Sequence, residues 1–444
     1  MEKTKSQKKV INAWAFYDWA NSSYPLVITT AIFPLFYAAV TSGNKEVIGD
    51  YEADVVYFFG FRFVNTALYS FVTSASFLVV AFISPLLSGI ADYSGNKRYF
   101  LSLFCYLGSL ACIGLFFFDV SYLEFSMIFP FLASIGYWGS MVFYNAYLPE
   151  IAPPEEHDRI SARGFTMGYI GSVILLVGNL VAIQAFGMPA KWAFVTVGIW
   201  WAGFAQITLR RLPKNPYHHK VAKSDSLFQK GYQEIKKVWK QLKHQIALRR
   251  FLRSYFVYNM GVQTVMLVAI LFANKEINWP IDPTTGQPDT SGLIIAVVII
   301  QLIASVGAFV MSRASFKVGN IMVLKIVVGL WVIICMAAYF IHTPLEFYMM
   351  AAAVGFVMGG IQSMSRSTYS KLLPETEDHA SYFSFFDVAE KVGIVLGTFA
   401  FGYIEDFTGS MRNSVLVLIV FFVVGFLLLQ SIPKVKALLP QKSV

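Results

Sequence analysis

Charged side chains are scarce in this 444-residue chain: Asp, Glu, Lys and Arg make up 14% of it, where a soluble domain carries about 25%. Apolar residues account for 56% without counting glycine, and a globule of that make-up has too few polar residues to coat itself. Cysteine is nearly absent. Cys105, Cys112 and Cys335 sit in apolar runs without metal-like spacing, which argues against a disulfide framework and a metal site. The six histidines (His157, His218, His219, His244, His342, His379) fall in polar connections, so no span offers an imidazole for metal binding or acid–base work. No Gly-rich phosphate loop ending in Lys-Ser/Thr occurs; Gly95-Asn96-Lys97 lacks the spacing, so direct ATP hydrolysis is not expected. These absences leave a polytopic membrane protein, with no cofactor and no enzymatic constellation expected.

A hydrocarbon core about 30 Å thick takes roughly 20 apolar residues per helix. That ruler gives twelve spans, near 11–40, 63–90, 99–118, 125–148, 164–186, 191–209, 254–273, 292–312, 321–341, 347–370, 383–403 and 412–432. Met1–Val10 carries Lys3, Lys5, Lys8 and Lys9. The run behind it is too long for a signal peptide and lacks a small-residue cleavage site, so it is expected to persist as an anchor. Lys97 and Arg98, Arg159 and Arg163, Arg313 and Lys317, and Lys434, Lys436 and Lys442 fall in alternate connections. Glu46, Asp50, Glu52, Asp54, Asp282 and Asp289 fall in the others. The positive-inside rule then puts both termini in the cytoplasm, which suits a multi-pass protein of a bacterial inner membrane.

The connection 210–253 divides the spans into six-helix bundles at 11–209 and 254–432. It holds thirteen basic residues (Arg210, Arg211, Lys214, Lys220, Lys223, Lys230, Lys236, Lys237, Lys240, Lys243, Arg249, Arg250, Arg253) against Asp225 and Glu234, an excess larger than the whole chain's net +9. Phe228, Tyr232, Ile235, Val238, Trp239, Leu242 and Ile246 recur among the lysines at helical spacing, as in a helix lying on an anionic inner leaflet. A plain tether between the halves is the simpler reading. The positive charge therefore points to lipid and not to nucleic acid, and the 16% of aromatic residues, mostly Phe, suits lipid-facing surface.

Two six-span halves invite a search for a repeat. Gly95-Asn96 closes span two and Gly319-Asn320 closes span eight. Leu148-Pro149-Glu150 ends span four and Leu373-Pro374-Glu375 ends span ten, each pair 224 or 225 positions apart and the latter pair followed by acidic, His-containing turns. The loop after span two reads Gly89-Ile-Ala-Asp92-Tyr-Ser-Gly95-Asn-Lys97-Arg98. Its glycines allow close approach and a turn, Asp92 can face a neighbouring helix N-terminus, and Lys97 and Arg98 are expected at the headgroups.

This loop and layout resemble the major facilitator superfamily. Tyr17-Asp18-Trp19-Ala20-Asn21-Ser22, Tyr144-Asn145-Ala146-Tyr147-Leu148-Pro149-Glu150, Ser365-Arg366-Ser367 and Phe385-Phe386-Asp387-Val388 resemble its vacuole-effluxer branch, fungal vacuolar amino-acid exporters and their bacterial relatives. The resemblance runs from about residue 11 to 432. It departs at Met260, where the branch carries an acid after Tyr258-Asn259, and in the loop Arg313–Asn320, which has no aspartate matching Asp92. The resemblance implies a carrier alternating between inward- and outward-open states. Spans one, four, seven and ten would line a central cavity, and Asp92 would brace the outward-facing state against span eleven.

Ionisable residues inside spans are costly and mark pathways or pair with each other. Here they are Asp18, Arg366, Asp387, Glu390 and Lys391. Asp387 and Lys391 share a helical face, which leaves Asp18 and Glu390 to share Arg366. A buried carboxylate without a partner takes up a proton, so this set is read either as a proton-coupling site or as a static ion network clamping the inner gate. Asp18, Asn21 and Ser22 fall on one face with Pro25, and a polar face in lipid points into a cavity. Asn145, Asn259, Gln263 and Arg366 are expected to join them there. A carboxylate, a guanidinium and amides suit a small zwitterion such as an amino acid. The expectation is a monomeric secondary transporter for a small polar solute. The alternative is a non-transporting sensor or scaffold that holds a partner through the basic connection.

Overall fold

A computed structural model describes residues 4–48, 51–214, 226–281, 283 and 291–440, with the side chains of Ile48, Tyr51 and Glu52 excepted. Expectations that rest on Lys3, Asp50, Glu52, His218, His219, Lys220, Lys223, Asp225, Asp282, Asp289 or Lys442 lie outside the described residues.

Span one is a helix in three pieces: α1 (Lys5–Asn21), a π-helical stretch (Tyr24–Ile32) and α2 (Phe33–Val40). Thr4 and Gln7 form a capping box at its start. Pro25 has no N–H to give to the preceding turn, and Pro34 repeats the deficit, so the helix widens between them. Thr30 Oγ1 then donates to the Pro25 carbonyl at 2.8 Å.

The acidic loop behind span one is not irregular. β1 (Lys45–Ile48), β2 (Tyr51–Phe58) and β3 (Phe61–Val64) form an antiparallel sheet in that order, in register Lys45↔Asp54 and Val55↔Val64. The β2–β3 turn is Phe59-Gly60, both at positive φ (49° and 79°), the requirement of a tight hairpin.

The remaining helices are α3 (Asn65–Ser94), α4 (Lys97–Gly114), short α5 (Leu123–Ser126), α6 (Ile128–Ala146), short α7 (Leu148–Ile151), α8 (His157–Phe186), α9 (Lys191–Arg211), α10 (Leu227–His244), α11 (Ile246–Glu276), α12 (Gly292–Val318), α13 (Asn320–Ala338), α14 (Pro344–Leu372), α15 (His379–Thr408) and α16 (Met411–Gln430). Spans two to twelve are α3, α4, α6, α8, α9 and α11–α16. Eleven of the twelve are long and apolar enough to cross a membrane by length and composition. The exception is α15, because Asp387, Glu390, Lys391, Glu405 and Asp406 break up its apolar stretch. α11 begins at Ile246, eight residues before the expected start of span seven.

The two bundles meet where α8 packs along α12 and α14, and where α3 packs along α15. The face that carries Thr4, Gly95, Gly319 and the C-terminal tail is the terminal face; the sheet lies at the opposite one. Within the second bundle, α12 and α14 touch backbone to backbone: a Cβ at Gly307 would lie 1.9 Å from the Phe356 carbonyl oxygen, and one at Gly359 1.9 Å from that of Ala304. Gly359→Ala is expected to lower the thermal midpoint in detergent, since overpacking costs about 1–3 kcal/mol. Gly402→Ala, with nothing within 4 Å of its Cβ, is expected to leave the midpoint unchanged.

Candidate functional site: an inter-bundle crevice above two ion clusters

Between the bundles lies a crevice of about 1350 Å³, counted out to its open mouth. Ser22, Asn145, Asn259, Gln263, Arg366 and Glu390 all line it, with Gln301 and Gln362 as further polar groups and Tyr137, Trp138, Phe165 and Tyr169 among its aromatic walls. Among the described residues, Asn259 Nδ2 and Gln301 Oε1 have no hydrogen-bond partner. Asp18 and Asn21 do not line the crevice. Asn21 is fully buried and donates to the Met141 sulfur at 3.1 Å. Asp18 lies behind Arg366.

The Asp18–Arg366 pair joins span one to span ten at 3.0 Å, with side chains 4% and 3% exposed. Tyr144 OH donates to Asp18 Oδ2 at 2.9 Å. Arg366 donates from Nε to Ser161 Oγ and from Nη2 to the Ser161 carbonyl, both at 2.9 Å. Its plane is caged by Phe165 and Trp14, whose ring centroids lie 4.1 and 4.8 Å from Cζ. Among the described residues, Nη1 has only a long 3.4 Å bond to Asn145 Oδ1. The packing depends on Gly164, where a Cβ would stand 2.2 Å from Asp18 Oδ2. Two charges this deep persist because they pair with each other and because Tyr144 and Ser161 answer Asp18 Oδ2 and two of the guanidinium nitrogens.

Glu390 does not reach Arg366. It accepts from Gln263 Nε2 at 2.9 Å and pairs with Lys391 at 3.1 Å, while Lys391 also binds Asp387. Ser84 Oγ of the first bundle donates to Asp387 at 3.3 Å, and the Lys391 ammonium sits 3.8 Å over the Trp138 ring. The excess carboxylate therefore belongs to span eleven: Asp387 and Glu390 share one ammonium. The i, i+4 pairing of Asp387 with Lys391 was legible in the sequence; the i, i+1 contact of Glu390 depends on how α15 meets α11.

Below the crevice, Tyr255 stacks on Phe386 at 4.0 Å between centroids, and Phe386 packs on Tyr369 at 4.8 Å. Two ion clusters then close the terminal face. In the first, Asp92 accepts from the backbone N–H of Ala380 and Ser381 at 3.2 and 2.7 Å, capping α15 across the bundle boundary. Lys97 pairs with Asp92 at 3.2 Å, binds Glu150, and donates to the Glu377 carbonyl at 3.2 Å; Glu150 also meets His379 at 3.1 Å. Lys97 is thus 1% exposed and not at the headgroups, because Asp92 and Glu150 draw it inward. Arg98 is only partly buried, 3.5 Å from the Leu212 carbonyl. Gly89 meets Gly231 of α10, and Gly95 ends α3 at φ 68°.

In the second cluster, Asp158 of α8 accepts from Lys371 at 2.6 Å, Ser315 at 2.7 Å and Asn320 at 2.8 Å, all from the other bundle. The loop after span eight lacks an aspartate, and the structure supplies one from the opposite partner: the acid stands on span five and Asn320 faces it. Among the described residues, no salt bridge joins the bundles at the opposite face. The two ion clusters close the crevice below, on the terminal side.

A family model for vacuole effluxers of the Atg22-like type matches residues 6–439. The chain belongs to the Atg22-like vacuole effluxer family. The MFS-type transporter YxiO of Bacillus subtilis is 29% identical over 95% of this chain and 94% of its own length. Autophagy-related protein 22-1 of Penicillium rubens is 24% identical over 85% of this chain and 76% of its own. Among solved structures, the major facilitator FucP in the outward conformation aligns with TM-score 0.67 at 14% identity, covering 97% of this chain and all of FucP. The proton:xylose symporter XylE aligns at 0.69 and 13%, covering 98% of both chains. These last two show the fold: twelve helices in two related bundles. This effluxer-family chain is a membrane transporter, a multi-pass integral protein of the bacterial cytoplasmic membrane.

Sequence reasoning missed Ser161, Phe165, Asp158 and Lys371 in this effluxer relative, and placed Gly164 only as a packing position on span five. Two signals pointed to them: the acidic turn Glu155–Asp158 recurs after span ten, and Gly164 opens a small-residue stripe on span five.

Proposed function

We propose that the crevice carries a small zwitterion, such as an amino acid, through alternating access coupled to protons. Supporting this is one observation above others: Arg366 and Glu390, a guanidinium and a carboxylate on different helices, both line the crevice. The weakly engaged Nη1 of Arg366 suits a substrate carboxylate, and Glu390 suits an ammonium. The Bacillus relative is described as an MFS-type transporter, and the family model that matches this chain is described as a vacuole effluxer. With the basic connections placed inside, the terminal face is cytoplasmic and this conformation faces outward. Asp92 at the N-terminus of α15, with Lys97 and Arg98 behind it, serves as the gate brace.

Asp387 and Glu390 share Lys391, so one negative charge lacks a counterion and a proton can replace it as access alternates. Glu390→Gln is expected to lower substrate-driven proton flux in proteoliposomes at least tenfold, while counterflow exchange, weakened by the lost ammonium contact, recovers at saturating substrate. Undiminished flux in this variant would reject the coupling role. A panel of amino acids, peptides and sugars in counterflow tests the substrate class; accumulation of sugars alone would reject the zwitterion.

A further inference from the structure

α10 lies outside the spans, yet it touches both bundles. On the first, its backbone meets that of α3: a Cβ at Gly89 would fall 2.3 Å from the Gly231 carbonyl oxygen, and one at Gly231 would fall 2.6 Å from Ile90 Cγ1. On the second, Lys237 pairs with Asp378 at 2.7 Å, Tyr382 OH donates to Gln241 at 3.0 Å, and the Trp239 ring packs 5.6 Å from that of Phe385. Burial works against the Lys237 charge, but its bonds to Asp378 and Glu234 outweigh it and hold the ammonium above the ordinary lysine pKa. α10 is a strap across the terminal face. It spans the α3–α15 seam that Asp92 closes.

Only part of its apolar surface is used in this way. Gly231, Val238 and Leu242 face the bundles. Phe228, Tyr232 and Trp239 recur at i, i+4 and i+11 on a second stripe and are 66%, 63% and 50% exposed. Ile246, also exposed, opens α11, a membrane span, directly after the break at Gln245. Lys236 and Lys243 follow Tyr232 and Trp239 by one turn, and Lys240 follows Lys236 by another, so three exposed ammonium groups flank the stripe. The helix has five lysines and one acid, Glu234. An apolar stripe directly ahead of a membrane span and edged by lysines fits anionic lipid, whose acyl boundary and headgroups lie side by side.

We propose that α10 binds anionic phospholipid through the Phe228–Tyr232–Trp239 stripe and Lys236, Lys240 and Lys243, and that this binding holds the terminal face closed. Separation of the bundles would have to break the contacts of α10 with α3 or with α15, so lipid that fixes α10 favours the closed arrangement. The inference rests on the alternating bundles of the proposed carrier, but its test requires no substrate, so its failure leaves the carrier reading standing.

The full chain is reconstituted in phosphatidylcholine alone or with phosphatidylglycerol. A polarity-sensitive fluorophore at Tyr232→Cys reports lipid contact; Cys105, Cys112 and Cys335 are buried and compete little for label. Spin labels at Tyr99→Cys and Met322→Cys, exposed sites at the terminal ends of α4 and α13, report bundle separation. Phosphatidylglycerol is expected to shift the Tyr232 emission to the blue, to make it quenchable by headgroup-proximal doxyl lipid, and to reduce the long-distance population about fivefold or more. The Lys236→Gln/Lys240→Gln/Lys243→Gln variant is expected to lose both responses. A fluorophore that stays in water in both vesicles, including one shielded only by an added soluble protein, would overturn the proposal. So would distances indifferent to phosphatidylglycerol, or an unchanged response in the triple variant.

Discussion

Arg366→Ala is expected to destabilise the protein by about 3–5 kcal/mol, the penalty for leaving a buried charge alone. Asp18 would keep Tyr144 as a hydrogen-bond donor but lose the guanidinium 3.0 Å away, on a side chain only 4% exposed. Asp18→Ala would strand Arg366 in the same way, softened by its two bonds to Ser161 and its aromatic cage. Removing both charges with isosteric groups, Asp18→Asn with Arg366→Met, is expected to restore most of the stability, because no uncompensated charge remains. Thermal unfolding of the three variants in detergent checks this. A double variant as unstable as Arg366→Ala would show that the pair's geometry, and not its charge balance, holds spans one and ten together.

The second large effect is expected at the terminal face. Lys371→Met leaves Asp158 with only Ser315 and Asn320 as donors, in the closed state alone. A loss of about 3 kcal/mol confined to that state shifts the closed-to-open ratio by roughly 100-fold. Ser381→Cys provides the readout: Ser381 is buried beside Asp92, and its backbone N–H, which holds that carboxylate, survives the substitution. Maleimide labelling of this cysteine is expected to accelerate at least tenfold in Lys371→Met and to fall back when Asp158→Asn is added. Labelling at the parent rate would show that the Asp92–Lys97–Glu150 cluster closes this face unaided.

The span count, the two bundles and the linker helix were legible because hydrocarbon thickness and helical periodicity leave direct marks on composition. The ionisable residues in and beside the crevice were legible for the same reason: Asp18, Arg366, Asp387, Glu390 and Lys391 stand out against apolar surroundings. Their partners were not. Glu390 meets Lys391 instead of Arg366 because of how α15 meets α11, and Asp18 hides behind Arg366 instead of lining the crevice because of how α1, α8 and α14 pack. Lys97 read as a headgroup lysine because its buried acid partner, Glu150, lies 53 positions away. The β1–β3 sheet was hidden by the acidic residues that suggested an outside loop, although Val55, Val56, Tyr57 and Phe58 already had strand character.

The most direct test of the central claim, that two bundles alternate around a crevice whose Arg366 binds the solute, is counterflow into proteoliposomes by the parent chain and by the refolded Asp18→Asn/Arg366→Met pair. The parent is expected to accumulate labelled amino acid, and the double variant, folded and reconstituted equally well, to accumulate at least tenfold less. Equal accumulation by the two, or none by a folded parent across the panel, would contradict the account.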